Sequence, residues 1–412
     1  MALIKPFRAL RPARELAAQI AALPYDVVNS KEAREMVRDN KYSFLRIDRG
    51  EINFPEQVDP RDPRVYQKAA EIFQKAVAHK HFIQDQTNNF YIYRQIMEGR
   101  AQTGLVAAAS IDDYTQDIIK KHEFTLREKE QDRIDHIQAL NAQSGPIFQT
   151  YRDNPEITEI IDKWAQNQEP EYQFEAHGVE HIIWVLDSPE MIRKITGLFA
   201  KIDYLYIADG HHRSAAAVRV GLQKRKDNPN YGADDHFNFF LSVLFPASDL
   251  KIWPYNRVVK DLAGYSEEEF LEKIQERFTV EPAPQSPYEP AAKRAFGMYL
   301  ADKWYKLSPK PGIFDENDPV KSLDAAILQD HLLDPVLNIK DPRKEERIDF
   351  VGGIRGVQEL ERRIKEDMKV AFSIYPTSVQ DVIRVADSGR VMPPKSTWFE
   401  PKLLSGLFIH KL

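Results

Sequence analysis

Cysteine is absent from all 412 residues. That one absence removes disulfides, thiolate metal sites, Cys-based redox motifs and any Cys nucleophile, and it fits a reducing compartment. Long hydrophobic runs are also missing. No segment approaches the roughly 20 apolar residues that a membrane helix needs. The opening Met1-Ala-Leu-Ile-Lys-Pro-Phe-Arg8 has no apolar stretch of signal-peptide length. A cytoplasmic location without a membrane partner is expected. Positive charge is not in excess either: 57 Lys and Arg face 63 Asp and Glu, a net charge of -6. Nucleic acid is therefore not expected as a partner, since nothing global attracts it and no long basic helix is visible.

Several reaction motifs are missing too. The chain has no Gly-x-x-x-x-Gly-Lys-Ser/Thr loop, no protein-kinase signature set, no Gly-x-Ser-x-Gly elbow and no His-Glu-x-x-His zinc helix. Magnesium held by a carboxylate together with substrate phosphates stays open. What is present is ordinary for a globular protein, with 42% hydrophobic and 29% charged residues. The length predicts two or three domains, each able to bury a core without metal or disulfide staples.

One stretch organises the rest. Tyr204-Leu-Tyr-Ile-Ala208 alternates aromatic and aliphatic residues and predicts a strand. Ser214-Ala-Ala-Ala-Val-Arg-Val220 predicts a helix packed closely through its alanines. Between them lies Asp209-Gly-His-His-Arg213. A strand, a glycine turn and a helix start aim backbone N–H groups and a partial positive charge at one point, which makes an anion site. His211, His212 and Arg213 at the helix start add cations where cations are disfavoured, and a phosphate would resolve that conflict. A solvated surface turn is the alternative.

Further candidates lie elsewhere. Thr125 with Glu128 predicts a capping box and a helix to about residue 140, with Glu123 in the turn before it. A carboxylate there could reach a substrate, or it could pair with Lys120, Lys121 or Arg127 at the surface. Ser30 is expected to cap a helix through Arg38, and residues 42–47 to form a strand. Residues 90–94 and 104–110 predict a hairpin. Asn256 and Arg257 are candidate ligand contacts, and Gly352-Gly-Ile-Arg-Gly356 is either a weak phosphate-loop signal or a tight strand–helix connection. Near the C-terminus, Pro393-Pro-Lys-Ser-Thr397 presents one charge and two hydroxyls on a proline-stiffened approach, unless it is a loop packed by Trp398 and Phe399.

Together, Pro24-Tyr-Asp-Val27, Lys121-His-Glu123 with Thr125 and Asp132-Arg133, Ala208-Asp-Gly-His-His-Arg213 and Met392-Pro-Pro-Lys-Ser-Thr-Trp-Phe-Glu-Pro-Lys402 resemble the signature of a large bacterial and archaeal family of unknown function. That family is similar to free L-serine kinases of the ParB/sulfiredoxin-like fold, which phosphorylate the amino acid itself with ADP or ATP. The resemblance implies an α+β fold: a ParB/sulfiredoxin-like nucleotide-binding core with mixed sheets and flanking helices, elaborated by N-terminal and C-terminal α/β additions. It implies an N-terminal portion over 1–118, a core with both motifs over 119–260, and a C-terminal portion over 261–412 whose last motif returns to the site.

The resemblance also implies roles. Glu123 would be the general base, with Asp209 and His212 beside it in catalysis. Gly210, His211, His212, Arg213 and Ser214 would hold the nucleotide's phosphates, and Asp209 would ligate Mg²⁺. His122, Lys395, Ser396 and Thr397 would contact the acceptor, a free L-serine or a similar hydroxylated metabolite. Trp398 stands where the kinase segment carries basic residues. Sulfiredoxin chemistry is excluded because it needs a Cys. A nucleotide-binding switch and a phosphometabolite sensor without kinase activity are the other readings compatible with the same fold.

Overall fold

The computed structural model describes residues 1–412. They form two compact units, Met1–Leu250 with Pro401–Leu412, and Lys251–Glu400. The fold is a mixture of α and β with several sheets.

The first unit is built on a nine-stranded sheet. Its strands run in the order Ile119–Lys120, Leu205–Asp209, Ile147–Tyr151, Phe239–Pro246, Arg100–Ser110, Phe90–Met97, Val179–Leu186 and Tyr172–Ala176, with Ile4–Lys5 paired to Arg100–Ser110. Leu205–Asp209 lies parallel to Ile119–Lys120, and Phe239–Pro246 parallel to Ile147–Tyr151; the other neighbours are antiparallel. Phe239–Pro246 is buried at every position, which explains its nearly unbroken apolar sequence in mid-sheet. Ile92, Leu105, Ile147, Ile207 and Leu244 belong to one core cluster beneath this sheet.

Three domains were expected, and the structure corrects this to two units. The hairpin Phe90–Met97 and Arg100–Ser110 sits inside the same sheet as Ile147–Tyr151 and Leu205–Asp209, so residues 1–118 and 119–260 share one sheet and are not separate bodies. The last residues come back to the first unit, where His410–Lys411 pairs with Ala142–Gln143.

Three local expectations also change. Residues 42–47 do not form a strand; Leu45–Asp48 is a short helix, with Asp48 N donating to Phe44 O at 2.9 Å. A brief apolar run fits either period, and here burial of Phe44, Leu45 and Ile47 is satisfied by the helical one. The helix near residue 30 is Ser30–Met36, and its cap is Asn29, in a capping box with Glu32. The helix after Glu123 is Arg127–Leu140 and has no side-chain cap; Thr125 Oγ1 donates instead to Glu130 at 3.1 Å.

The second unit holds a six-stranded antiparallel sheet in the order Phe278–Pro282, Lys303–Pro309, Phe296–Leu300, Val370–Ile374, Tyr255–Val259 and Ile348–Gly352. A Cβ on Gly352 would stand 3.0 Å from the Trp398 ring, and one on Gly353 2.6 Å from Pro254. These glycines therefore serve close packing, which is the tight-connection reading of the Gly-Gly-x-x-Gly stretch.

Two histidines of the first unit, His181 and His410, are buried away from the turn at Gly210. Burial pushes each down to about 4, against the opposing effect of a backbone hydrogen bond. Both stay neutral in the folded chain at pH values where the unfolded chain takes up protons near 6.5. Stability is then complete above about pH 6.5 and falls as pH drops toward 4, by roughly 3 kcal/mol per histidine at the lower limit. Urea midpoints measured from pH 7 to pH 5 should decline, and His410→Gln should make the decline shallower. A flat profile would contradict this assignment.

Candidate functional site

The strand Leu205–Asp209 ends at Gly210, whose φ of 93° lies in the left-handed region that favours glycine. The helix His211–Asp227 starts at once. Its alanines 215–217 are buried against the sheet, so the helix start is rigidly placed. Gly210 is the cap residue and offers the first-turn amides no side-chain acceptor. An anion could supply one. Ser214 was expected to help hold that anion. It does not fit: it is fully buried, and its hydroxyl donates to His211 O at 2.9 Å.

The two histidines meet the segment that carries Glu123. His212 Nε2 accepts the Leu126 N–H at 3.0 Å, and His211 Nε2 takes a longer bond from the His122 N–H at 3.5 Å. Adjacent helical side chains diverge by about 100°, and here they grip the loop at its two ends. With Nε2 accepting, the His211 proton sits on Nδ1, which lies 3.7 Å from Glu123 Oε2. Glu123 is thus brought beside the helix start although 86 positions separate it from Asp209 in the chain, and its side chain keeps about 42% exposure.

Burial decides the charge of this cluster. His211 is 5% and His122 2% exposed, with rings edge to face at 4.5 Å. Burial pushes His122 down to about 4; it also holds His211 well below its ordinary value, helped by the neighbouring imidazole. Both are neutral near pH 7. The expected excess of cations at the helix start is therefore smaller than the sequence suggests, and the buried His122 ring is not placed to touch an acceptor.

Arg213 remains charged and is answered from within. Its Nη1 donates to Pro146 O at 2.7 Å, and Nη2 stands 4.0 Å from Asp209 Oδ1. Asp209 Oδ2 takes Lys402 Nζ at 3.1 Å, and Oδ1 accepts the Gly210 N–H at 2.7 Å. Burial alone would raise this carboxyl, but Lys402, Arg213 and the Gly210 amide outweigh it and hold Asp209 well below the usual carboxylate range. Two cations, Lys402 and Arg213, already face this carboxylate, so it fits the part of their counter-ion, and a Mg²⁺ ion there would meet their like charge. No group of three or more His, Cys, Asp or Glu side chains is placed to hold a metal. Lys402 was missed as a site residue, although it closes the final motif.

A cavity of about 360 Å³ lies between the helices Pro63–Ala78 and Arg127–Leu140. A narrow arm of about 30 Å³ shares Tyr25, Asp48, Arg133 and His136 with it and reaches Arg213. Arg133 is stacked 3.8 Å over the Tyr25 ring and paired to Asp132 at 2.7 Å. The Pro-Tyr-Asp-Val and Asp-Arg motifs thus meet here.

Lys395, Ser396 and Thr397 belong to the second unit. Lys395 has a φ of 57°, and its carbonyl accepts from Arg257 Nη2 at 3.2 Å. Ser396 is buried; its hydroxyl donates to Pro393 O at 2.6 Å, and its carbonyl accepts from Thr377 at 2.9 Å. The Ser396 hydroxyl is turned to its own loop, contrary to an acceptor-binding part. Asn256 lies in the same unit, its Oδ1 accepting the Ile374 N–H at 3.1 Å.

Comparison with known proteins gives three kinds of result. The profile of DUF1015, a family described as proteins of unknown function, matches residues 4–326. No curated protein matches the chain. Similar solved structures include a free serine kinase mutant in complex with ADP, at 14% identity over 74% of this chain and 90% of that one, with a TM-score of 0.36. A conserved hypothetical protein from Pyrococcus furiosus has 16% identity over 72% and 90%, with a TM-score of 0.34. SbnI from Staphylococcus aureus with a C-terminal truncation has 12% identity over 73% and 85%, with a TM-score of 0.37.

The Asp209–Lys402 pair yields a test. Breaking a fully buried pair costs about 3–5 kcal/mol. Asp209 keeps about 29% exposure, so Lys402→Met is expected to destabilise by less, roughly 1–3 kcal/mol. Adding Asp209→Asn should recover much of that loss in urea unfolding. Strictly additive losses would contradict the pairing.

Proposed function

The chain belongs to the DUF1015 family, and from that premise we propose that it is a small-molecule kinase that moves a phosphoryl group from ADP or ATP to the hydroxyl of free L-serine or a similar hydroxylated metabolite. The observation that carries this reading is the loop held by His211 and His212, which puts the Glu123 carboxylate beside an uncapped helix start.

Phosphoryl transfer asks mainly for positioning and charge neutralisation. In this reading the first-turn amides of His211–Asp227 and the Arg213 guanidinium hold the donor's terminal phosphates. The acceptor oxygen attacks the terminal phosphorus as the bond to the bridging oxygen breaks. That oxygen leaves with the electron pair on the shortened nucleotide, and the acceptor's proton passes to Glu123. His211, with its proton on Nδ1, orients Glu123 without gaining charge. Asp209 keeps Arg213 and Lys402 in place. Magnesium bound with the nucleotide would be held by the nucleotide's own phosphates, since Asp209 already faces Lys402 and Arg213, and it would neutralise phosphate charge.

The test is an acceptor screen. The full chain is incubated with ATP or ADP, Mg²⁺ and each free amino acid, and phosphorylated products are sought by mass. Phosphoserine is the expected product. Glu123→Gln should cut turnover by roughly 10²–10⁴-fold while nucleotide affinity stays within a few-fold. No product with any acceptor would sink the kinase reading. Hydrolysis without an acceptor would instead indicate a nucleotide switch, and tight binding of a phosphorylated metabolite without turnover a sensor.

A further inference from the structure

We propose that the cavity between Pro63–Ala78 and Arg127–Leu140 is a nucleoside subsite, taking the base and sugar of a nucleotide whose phosphates pass along the narrow arm to Arg213. This rests on the phosphate-binding reading of the 209–213 turn and adds what that turn does not supply, namely a place for the rest of the nucleotide.

Volume comes first. About 360 Å³ lies within the roughly 300–1,000 Å³ usual for small-molecule sites. A free amino acid would leave most of that space unfilled, and an isolated phosphate has no use for an apolar wall. The second argument is the gradient of chemistry along the cavity. At the wide end, Ile47, Val65 and Ala69 make an apolar floor on which a flat base can lie. Beside them are two carboxylates, the buried Glu51, paired with Arg49, and the half-buried Asp132, paired with Arg133. Asp132 accepts the Tyr66 hydroxyl at 2.8 Å, and Glu51 accepts the Ser30 hydroxyl at 2.8 Å. An ionised carboxylate offers about four acceptor sites, so Asp132 and Glu51 retain capacity for the paired hydroxyls of a sugar. At the narrow end two buried guanidiniums, Arg133 and Arg213, each 8% exposed, outnumber the one buried carboxylate, Asp48.

The third argument is an unanswered donor. Arg213 Nε is buried and has no hydrogen-bond partner. Leaving such a donor unpaired is unfavourable, the more so for a charged group. A Cβ on Gly145 would come 3.4 Å from Arg213 Cδ, so that glycine leaves room where the arm ends. A phosphate oxygen in the arm would answer the guanidinium. One wall of this subsite comes from residues 25–69 and the other from the helix Arg127–Leu140, so Tyr25 and Asp132-Arg133 of the family signature both line it.

Photolabelling of the full wild-type chain with 8-azido-ATP tests this without relying on a variant that folds. Label displaced by ATP should fall in peptides covering 45–69 or 127–137; specific label elsewhere overturns the proposal. Val65→Phe provides the second arm by narrowing the wide end. AMP should then bind about tenfold or more weakly, while inorganic pyrophosphate stays within about twofold. If AMP binds this variant as it binds wild type, and pyrophosphate still binds, the nucleoside subsite is wrong and the phosphate clamp stands. If wild type binds neither ATP nor pyrophosphate, the clamp fails and the subsite falls with it.

Discussion

Two consecutive imidazoles accepting backbone N–H groups from one loop are the constraint on which the rest of the site depends. The loop between Ile119–Lys120 and Arg127–Leu140 has no side-chain cap at its helical end. Its course is fixed instead by His211 and His212. Those two residues are in turn fixed by the left-handed turn at Gly210 and by the alanine face that seats the helix on the sheet. A carboxylate and a helix start far apart in sequence become neighbours through directional hydrogen bonds from loop amides to the two rings. Long flexible ion pairs would not hold a carboxylate as closely.

Electrostatics follow from that geometry. Once His122 and His211 are buried and neutral, the permanent charges of the turn are Asp209, Arg213 and Lys402. They form a chain in which each charge has a partner, but Arg213 retains an unanswered Nε. The helix start and this guanidinium then point to one kind of ligand, an anion with several oxygens. Neutral histidines matter for the same reason. A doubly protonated imidazole pair could not accept the two loop amides, so keeping Glu123 in place and keeping His211 uncharged are one requirement.

Much of this was legible in the sequence, and what escaped has physical causes. The strand, glycine turn and helix over 204–227 were readable because alternation, an obligatory left-handed glycine and an alanine run all agree. The placement of Glu123 ahead of a helix was readable too. The identity of what holds it was not: Thr125 and Glu128 have capping-box spacing, yet Thr125 bonds Glu130 and the histidines do the holding. Local pattern cannot show a tertiary bond across 86 positions. Residues 42–47 misled for another reason, since a short apolar run satisfies either period until its neighbours are known. The pairing of Asp209 with Lys402 was not legible either, since 193 positions separate the two.

The division of labour along the chain follows from the same comparison. The turn at 209–213 is carried by a short motif, because a left-handed glycine and a helix start follow from local residues. The cavity wall is different. Gly50 lets the helix Pro63–Ala78 approach, since a Cβ there would stand 2.7 Å from Val65 O. Ile47, Val65 and Ala69 then need only be apolar and of suitable size to form the floor. That apolar floor leaves no motif of its own, and it appears only when the helices are packed. Within the expected N-terminal portion, residues 25–69 supply one side of a cavity whose other side is the helix Arg127–Leu140.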